Sequence, residues 1–459
     1  MQARVKDILN IPDVQARWHG DESKLEHTFS GISTDSRTVR PGELFFALRG
    51  EQFDGHHYVR NALEKKAVAA VVNREWHQQN QDVGKCIVVP DTLTAYQELA
   101  RLHRKKMNVP VVALTGSSGK TTTKEFVYSV LSQKYNVLKS QKSYNNHIGV
   151  PATLLELSPD HDLVVAELGT SQFGELERLS YLAEPNVCLL LNIGYAHLEF
   201  FKNRQGVAKA KLEILSHAKK DGTVIYNADD DILCDQKYPL KKNVSFAIET
   251  SADIQPDTLF CDDEGRYQFS LQDRDIKLKV PGRHNVLNAL AAAAAGVEFD
   301  VSISEIKTGL ENVNHIELRM DVIYEHDLVI INDAYNANPG SCYSAMATAA
   351  DFTKKGRRIG VLGDMLELGD TAAKEHENLA TFAKQFDFDM LFLFGDLTAH
   401  TRTNAIKQGI KAFHSTDRDE LVRELEGYVQ PGDLVLVKGS RSMHMEYVVE
   451  ALTKKTKKE

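Results

Sequence analysis

Apolar runs of strand length alternate with stretches of helical period along most of the chain. VPVVAL (109–114), DLVVAEL (162–168), NVCLLLNI (186–193) and GTVIYN (222–227) are too uniformly apolar for half-exposed strands and read as strands covered on both faces. The pattern resumes with LVIIND, RIGVLGD, MLFLFGD and LVLVKGS, separated by helical patterns such as HENLATFAKQF and DELVRELEGYV. Such alternation predicts βαβ units and mostly parallel sheets, an α/β fold. Before residue 85 the runs are shorter and broken by turns, as in PGELFFALRG, with a helical stretch near His57 to Lys66. The expected division is three domains, at 1–85, 86–314 and 315–459, because 459 residues exceed what one core usually organises.

Composition narrows the function classes. Hydrophobic residues at 42% and charged residues at 26% suit a globular protein. A net charge of -9 leaves no basic footprint for a phosphate backbone, so no nucleic-acid partner is expected. No run approaches the roughly 18 apolar residues of a membrane span, and the start lacks a secretory pattern, so a cytoplasmic location is expected. Cys86, Cys188, Cys234, Cys261 and Cys342 are scattered without C-x-x-C spacing, which indicates neither a disulfide framework nor a zinc site. The glycines of GVLGDMLELG do not fit G-x-G-x-x-G, which argues against a nicotinamide cofactor.

The strongest chemical signal follows the strand Val111 to Leu114. Gly116, Ser117, Ser118, Gly119, Lys120, Thr121 and Thr122 make a glycine-containing turn, after which Phe126, Val127, Val130 and Leu131 fall on one helical face. A strand, a glycine turn and a helix N-terminus present backbone N–H groups and partial positive charge to phosphate oxygens. Lys120 would add a full charge and Thr121 a hydroxyl for Mg²⁺. The match is to the short G-x-x-G-K-T, with Leu114 where a longer motif has its first glycine, so an ordinary capped turn remains the plain alternative.

Glu167 and His197 follow two further strands, where ligand sites of parallel sheets gather, and are candidates for metal or catalytic groups. They can equally be a strand-end carboxylate and a loop histidine. Lys211, on a helix expected over Gln205 to Ala218, falls within the apolar arc of Val207, Ala208, Ile214, Leu215 and Ala218. An ammonium there must be paired, neutralised or snorkel outward. Carbamylation by CO₂, which would make it an anionic metal ligand, is the alternative with a chemical consequence.

Taken together, GISTDSRTVRPGELFFALRGEQFDGHHYV, TGSSGKTTTKE, YNNHIGVPATLL, AELGTSQFGEL, NIGYAHLEFF, GVAKAKLEIL, PGRHNVLNALAAA, NDAYNANPGS, GVLGDMLELG and VKGSRSMHMEYVV resemble the Mur ligase family over nearly the whole chain. The resemblance implies an N-terminal UDP-binding domain, a central P-loop ATPase domain and a C-terminal Rossmann-like domain. Within the family, DAYNANP and KGSR resemble the member that joins D-alanyl-D-alanine to UDP-N-acetylmuramoyl-tripeptide with ATP and Mg²⁺. Another Mur-type or folylpolyglutamate-type amide ligase, or a non-catalytic nucleotide-binding protein of the same fold, are the alternatives. A monomer is expected.

By this resemblance Lys120 and Thr121 bind ATP phosphates and Mg²⁺, Glu167 and His197 serve the metal, and Lys211 matches a carbamylated lysine. Asn288 would contact adenine, and Arg319 and Asp333 would reach ATP from the third domain, although Leu318 replaces a glycine often found before that arginine. Ser33, Asp35, Ser36 and Arg37 would hold the UDP-sugar end. Asn145, Asn146, Thr170 and Ser171 would line the path of the muramoyl peptide, and Asn336, Asn338, Ser440 and Arg441 would take the dipeptide.

Overall fold

The computed structural model describes residues 3–12, 14–50, 53–314 and 316–454; His315, the expected first residue of the third domain, lies outside them. Two compact units are found, one of residues 1–113, 136–168 and 177–185, the other of residues 114–135, 169–176 and 186–459.

In the first unit a five-stranded sheet runs in the order Arg17–His19, Cys86–Val89, Ala69–Asn73, Leu44–Phe46, Ile32–Ser33. Its last four strands are parallel and Arg17–His19 is antiparallel to its neighbour. The sheet thus takes in Cys86–Val89, just past the edge expected at residue 85. Phe45, Ala47, Ala70, Val72, Cys86 and Val88 form one buried face with Val59 and Ala62 of the helix Val59–Glu64. The helix Thr92–Met107 starts where Asp91 accepts the Thr94 N–H at 2.6 Å and stops at Asn108 in the left-handed region (φ 52°). Its inward face is partly polar, and three of its buried side chains reach backbone carbonyls. Gln97 Nε2 donates to the His147 carbonyl at 2.9 Å, His103 Nε2 lies 2.8 Å from the Leu157 carbonyl, and buried Arg104 donates through Nε to the Ala183 carbonyl at 2.8 Å. The strand Leu163–Glu167 pairs in parallel with Val137–Lys139.

In the second unit Val187–Leu190, Thr223–Asn227 and Lys242–Phe246 are successive parallel partners. Helix Lys120–Leu131 buries Phe126, Val127, Val130 and Leu131, the face expected from the sequence. It packs against helix Arg283–Glu298, whose alanine run is buried all round. Gly296 permits this approach, and Gly309 that of the next helix, Ile303–Glu311, since a Cβ on either would stand 2.7 and 2.6 Å from Val130. An antiparallel sheet of Thr258–Cys261, Arg266–Leu271 and Arg274–Pro281 intervenes, which apolar periodicity had not suggested.

A six-stranded sheet closes the chain, in the order Asp321–Glu325, Leu328–Asp333, Leu434–Lys438, Arg358–Gly363, Met390–Phe394, Lys411–Ser415. All neighbours are parallel except the first pair. Its four apolar strands match the four expected runs. The two edge strands are more polar and had been missed; the first hairpin turns at His326 and Asp327, both at positive φ without a glycine to signal it. No helix among the described residues is long and apolar enough to cross a membrane.

Candidate nucleotide-binding site

The chain leaves the buried strand Val111–Thr115 into a turn held open from beneath by Asn192. The Asn192 carbonyl accepts the Ser117 N–H at 3.1 Å, its side-chain oxygen accepts the Ser118 N–H at 3.0 Å, and its amide donates to the Ser118 carbonyl at 3.1 Å. Ser117 Oγ in turn accepts the Gly194 N–H at 2.8 Å. These bonds fix the loop before any ligand arrives. Gly116 cannot carry a side chain, because its Cβ would stand 2.9 Å from Leu191. Lys120 opens the helix and folds back so that Nζ donates to the Gly116 carbonyl at 2.8 Å, placing a cation over the hollow of the turn. The turn is therefore shaped by Asn192 and carries the Lys120 ammonium at the start of its helix, where the helix dipole is positive.

Gly119 precedes Lys120 in the left-handed region (φ 80°), and a Cβ there would lie 2.7 Å from Asn288 Oδ1. Asn288 is buried. Its oxygen accepts from Thr123 Oγ1 at 3.0 Å, its amide donates to Asn285 Oδ1 at 2.9 Å, and Asn285 donates to the Pro281 carbonyl at 2.7 Å. In this structure Asn288 thus supports the loop from behind. Gly119→Ala is expected to lower stability by about 1–2 kcal/mol, from the left-handed backbone alone, and to weaken ATP binding as Asn288 is displaced. Urea unfolding and nucleotide titration check the two effects separately.

Lys211 is only 1% exposed. Its helix is regular over Arg204–Leu212 and tightens to a 3₁₀ turn at Glu213–Leu215, ending sooner than expected but leaving Lys211 on the apolar face. Burial drives its pKa well below the usual lysine value, and the charge of Lys120 pushes the same way; Glu175 and Glu213 only partly oppose this. Neither glutamate had been singled out in the sequence. Glu175 also organises the preceding loop, accepting from Ser171 N at 2.8 Å, Gln172 N at 3.1 Å and Thr170 Oγ1 at 3.2 Å. Burial raises its pKa, but these bonds outweigh burial and hold the carboxyl below its ordinary range. Thr170 and Ser171 are thereby fixed on one loop.

The remaining candidates fall into separate groups. In the first unit Glu167, 1% exposed at its strand end, accepts from Asn145 Nδ2 at 2.8 Å, so a metal-side and a peptide-side candidate share one bond. Asn146 accepts the Ile148 and Gly149 N–H groups at 3.1 and 2.9 Å and opens the next helix. Ser33 Oγ donates to the Asp35 carbonyl at 2.9 Å, and Lys65 Nζ, not foreseen, donates to the Ser36 carbonyl at 2.9 Å. Arg37 clasps the Asp35 carboxylate at 2.7–3.0 Å and holds its pKa down.

In the second unit His197 sits in the left-handed region (φ 54°) with Nδ1 2.7 Å from Glu367, close enough for an ion pair but out of line for a hydrogen bond. Arg319 stacks its guanidinium 4.0 Å from the Tyr335 ring centre and lines a cavity of about 310 Å³ with Arg266 and Lys279. Asn338 caps the helix Pro339–Asp351 by accepting the Ser341 N–H at 2.8 Å. The Asn336 side chain accepts the Ala337 N–H at 2.9 Å. Buried Ser440 accepts the Leu366 N–H at 2.9 Å, whereas exposed Arg441 pairs with Glu446 at 2.9 Å. No cluster of three or more His, Cys, Asp or Glu suited to a metal occurs among the described residues.

Comparison with known proteins decides the family. Residues 28–113 match the Mur ligase family catalytic domain, 114–296 the Mur ligase middle domain, and 318–441 the Mur ligase glutamate ligase domain. The UDP-N-acetylmuramoyl-tripeptide–D-alanyl-D-alanine ligase of Bacillus subtilis is 35% identical over 97% of this chain and 98% of its own length. The chain belongs to the Mur ligase family. The Escherichia coli ligase of the same name is 35% identical over 98% of this chain and 97% of its own. Among solved structures, MurF from Acinetobacter baumannii superposes with a TM-score of 0.90 at 32% identity, covering 99% of both chains. MurF from Thermotoga maritima, solved with ADP, gives 0.80 at 28% identity, covering 93% of this chain and 98% of that one. The three-domain α/β organisation expected of this Mur ligase is thus shared with these structures.

Proposed function

We propose that this Mur ligase joins D-alanyl-D-alanine to UDP-N-acetylmuramoyl-tripeptide, cleaving ATP to ADP and phosphate. The observation that supports this reading most directly is full-length similarity to ligases of that name, in a chain that carries the Gly116–Thr122 glycine turn with Lys120 folded over it. A free carboxylate resists amine attack because oxide would have to leave. Transfer of the γ-phosphoryl to the peptide carboxylate makes an acyl phosphate; the dipeptide amine adds to its carbonyl, loses a proton and expels phosphate. The residues' main task is to hold charge in a fixed arrangement, with Lys120 and the helix N-terminus facing the phosphates.

Mg²⁺ takes oxygen ligands and usually keeps few from the protein, and the Thr121 hydroxyl and the Glu167 carboxylate are of that type. Thr121 would supply a hydroxyl, and Glu167, His197 and a carbamylated Lys211 the remaining support; the ion would neutralise charge on the transferring phosphoryl. A neutral amine is the form that reacts with CO₂, forming an N–C bond and releasing one proton, and the depressed pKa of Lys211 provides that form. Arg319 and Asp333 would meet the nucleotide, and Asn288, beyond its bracing of the loop, the adenine. Ser33, Asp35, Ser36 and Arg37 would meet the UDP-sugar, Asn145, Asn146, Thr170 and Ser171 the muramoyl peptide, and Asn336, Asn338, Ser440 and Arg441 the dipeptide. A cytoplasmic, monomeric enzyme goes with this reading.

Incubation with UDP-N-acetylmuramoyl-tripeptide, ATP and D-alanyl-D-alanine is expected to give the pentapeptide, identified by mass spectrometry, with one phosphate released per product. Unchanged precursor alongside phosphate release with a different amine would replace the assignment by another amide ligase.

A further inference from the structure

Arg319 is held in an unusual backbone setting. Leu318 before it and Met320 after it both adopt left-handed conformations (φ 59° and 49°), which non-glycine residues avoid unless neighbours impose them. The imposing contacts come from the end of the strand Leu328–Asp333. Tyr335 N–H donates to the Leu318 carbonyl at 3.1 Å, and the Asp333 carboxylate accepts the Met320 N–H through Oδ1 at 3.2 Å. The other oxygen of Asp333 is paired directly with Lys438 Nζ, on the neighbouring strand in register with it. Lys438 is 3% exposed, and the same Nζ donates to the Asn336 carbonyl at 2.9 Å. His284 is close to both charges, but burial pushes its pKa down to about 4, so near neutral pH it adds no second cation.

A carboxylate only 13% exposed would, without its cation, turn away or take up a proton, and the Met320 N–H would lose its acceptor. We propose that Lys438 is a positioning residue, which aims Asp333 at Met320 and so fixes Arg319 in its stack on Tyr335. Through the Asn336 carbonyl the same ammonium ties this frame to the loop Asn336–Asn338. The functional part of this claim rests on the reading that Arg319 meets the nucleotide; the positioning part does not.

The test uses the full chain with Lys438→Met, Lys438→Arg and Arg319→Ala, and has two readouts. Trypsin cleavage of the Arg319–Met320 bond, followed by peptide mass, reports the position of the segment. ATP affinity by calorimetry reports its use. Lys438→Met is expected to speed cleavage and weaken ATP binding, each by about tenfold, the scale of one well-formed contact, with partial recovery in Lys438→Arg. In the Arg319→Ala background it should weaken ATP binding by clearly less than in the wild type, any remainder passing through Asp333 itself. Wild-type cleavage in Lys438→Met, or an ATP effect that adds in full to that of Arg319→Ala, would overturn the proposal. Intact ATP binding in Arg319→Ala would instead remove the nucleotide reading of Arg319 and leave cleavage to decide the positioning. Should Lys438→Met not fold, Asp333→Leu/Lys438→Met removes both members of the pair, and retained protection of the bond in that variant would equally refute the idea.

Discussion

Lys120→Ala is expected to lower kcat by at least ~10²-fold, the loss found when one preorganised electrostatic group is taken from a transition state. The lysine opens its helix, and its Nζ lies over the turn on the Gly116 carbonyl. The Asn192 bonds that shape the turn do not involve the Lys120 side chain, and the variant should keep its fold and melting temperature. Phosphate release at saturating substrates, with thermal unfolding in parallel, checks both halves. Near-normal turnover would exclude Lys120 from the chemistry.

Lys211→Met should separate activity from stability in the opposite sense. Between the depressed folded pKa and the ordinary value near 10.5, the unfolded chain binds a proton that the folded chain does not. Stability therefore rises with pH across that window, and at neutral pH the buried amine is a net cost. Methionine of similar length removes the cost, so its melting temperature should equal or exceed the wild-type value and lose part of the upward slope with pH. Activity should nevertheless fall by ~10²-fold or more if the lysine carries a catalytic charge. A variant that is stabilised and fully active would make Lys211 a relic of packing. Enrichment with ¹³C-bicarbonate adds a direct readout, a carbamate resonance present in wild type and missing from Lys211→Met.

Sequence reasoning reached those parts of the molecule where one residue type has one physical meaning. The face of Phe126, Val127, Val130 and Leu131 and the four apolar strands of the last sheet were legible because burial on both sides leaves continuous apolar runs. Lys211 stood out because a charge on an apolar arc conflicts with its surroundings, and it is indeed buried. Edge strands such as Lys411–Ser415 were missed because their polar composition satisfies solvent on one side. Partnerships over long separations left no signal: Asn192 under Ser118, Asn288 behind Gly119 and Lys438 on Asp333 are ordinary polar residues until the fold brings them together. Several candidates prove to have scaffold bonds of their own, as Asn338 does at its helix cap and Ser440 on Leu366. A polar residue in a loop motif can thus brace the loop as well as meet a ligand.

The compact unit built from residues 1–113, 136–168 and 177–185 has a consequence for synthesis on the ribosome. Helix Thr92–Met107 is made early, but the acceptors for Gln97, His103 and Arg104 are the carbonyls of His147, Leu157 and Ala183. Until those residues emerge, the Arg104 guanidinium, the His103 ring and the Gln97 amide are held by water instead of by these carbonyls. A chain ending near residue 113 would therefore hold the five-stranded sheet but leave the inward polar face of this helix without its acceptors.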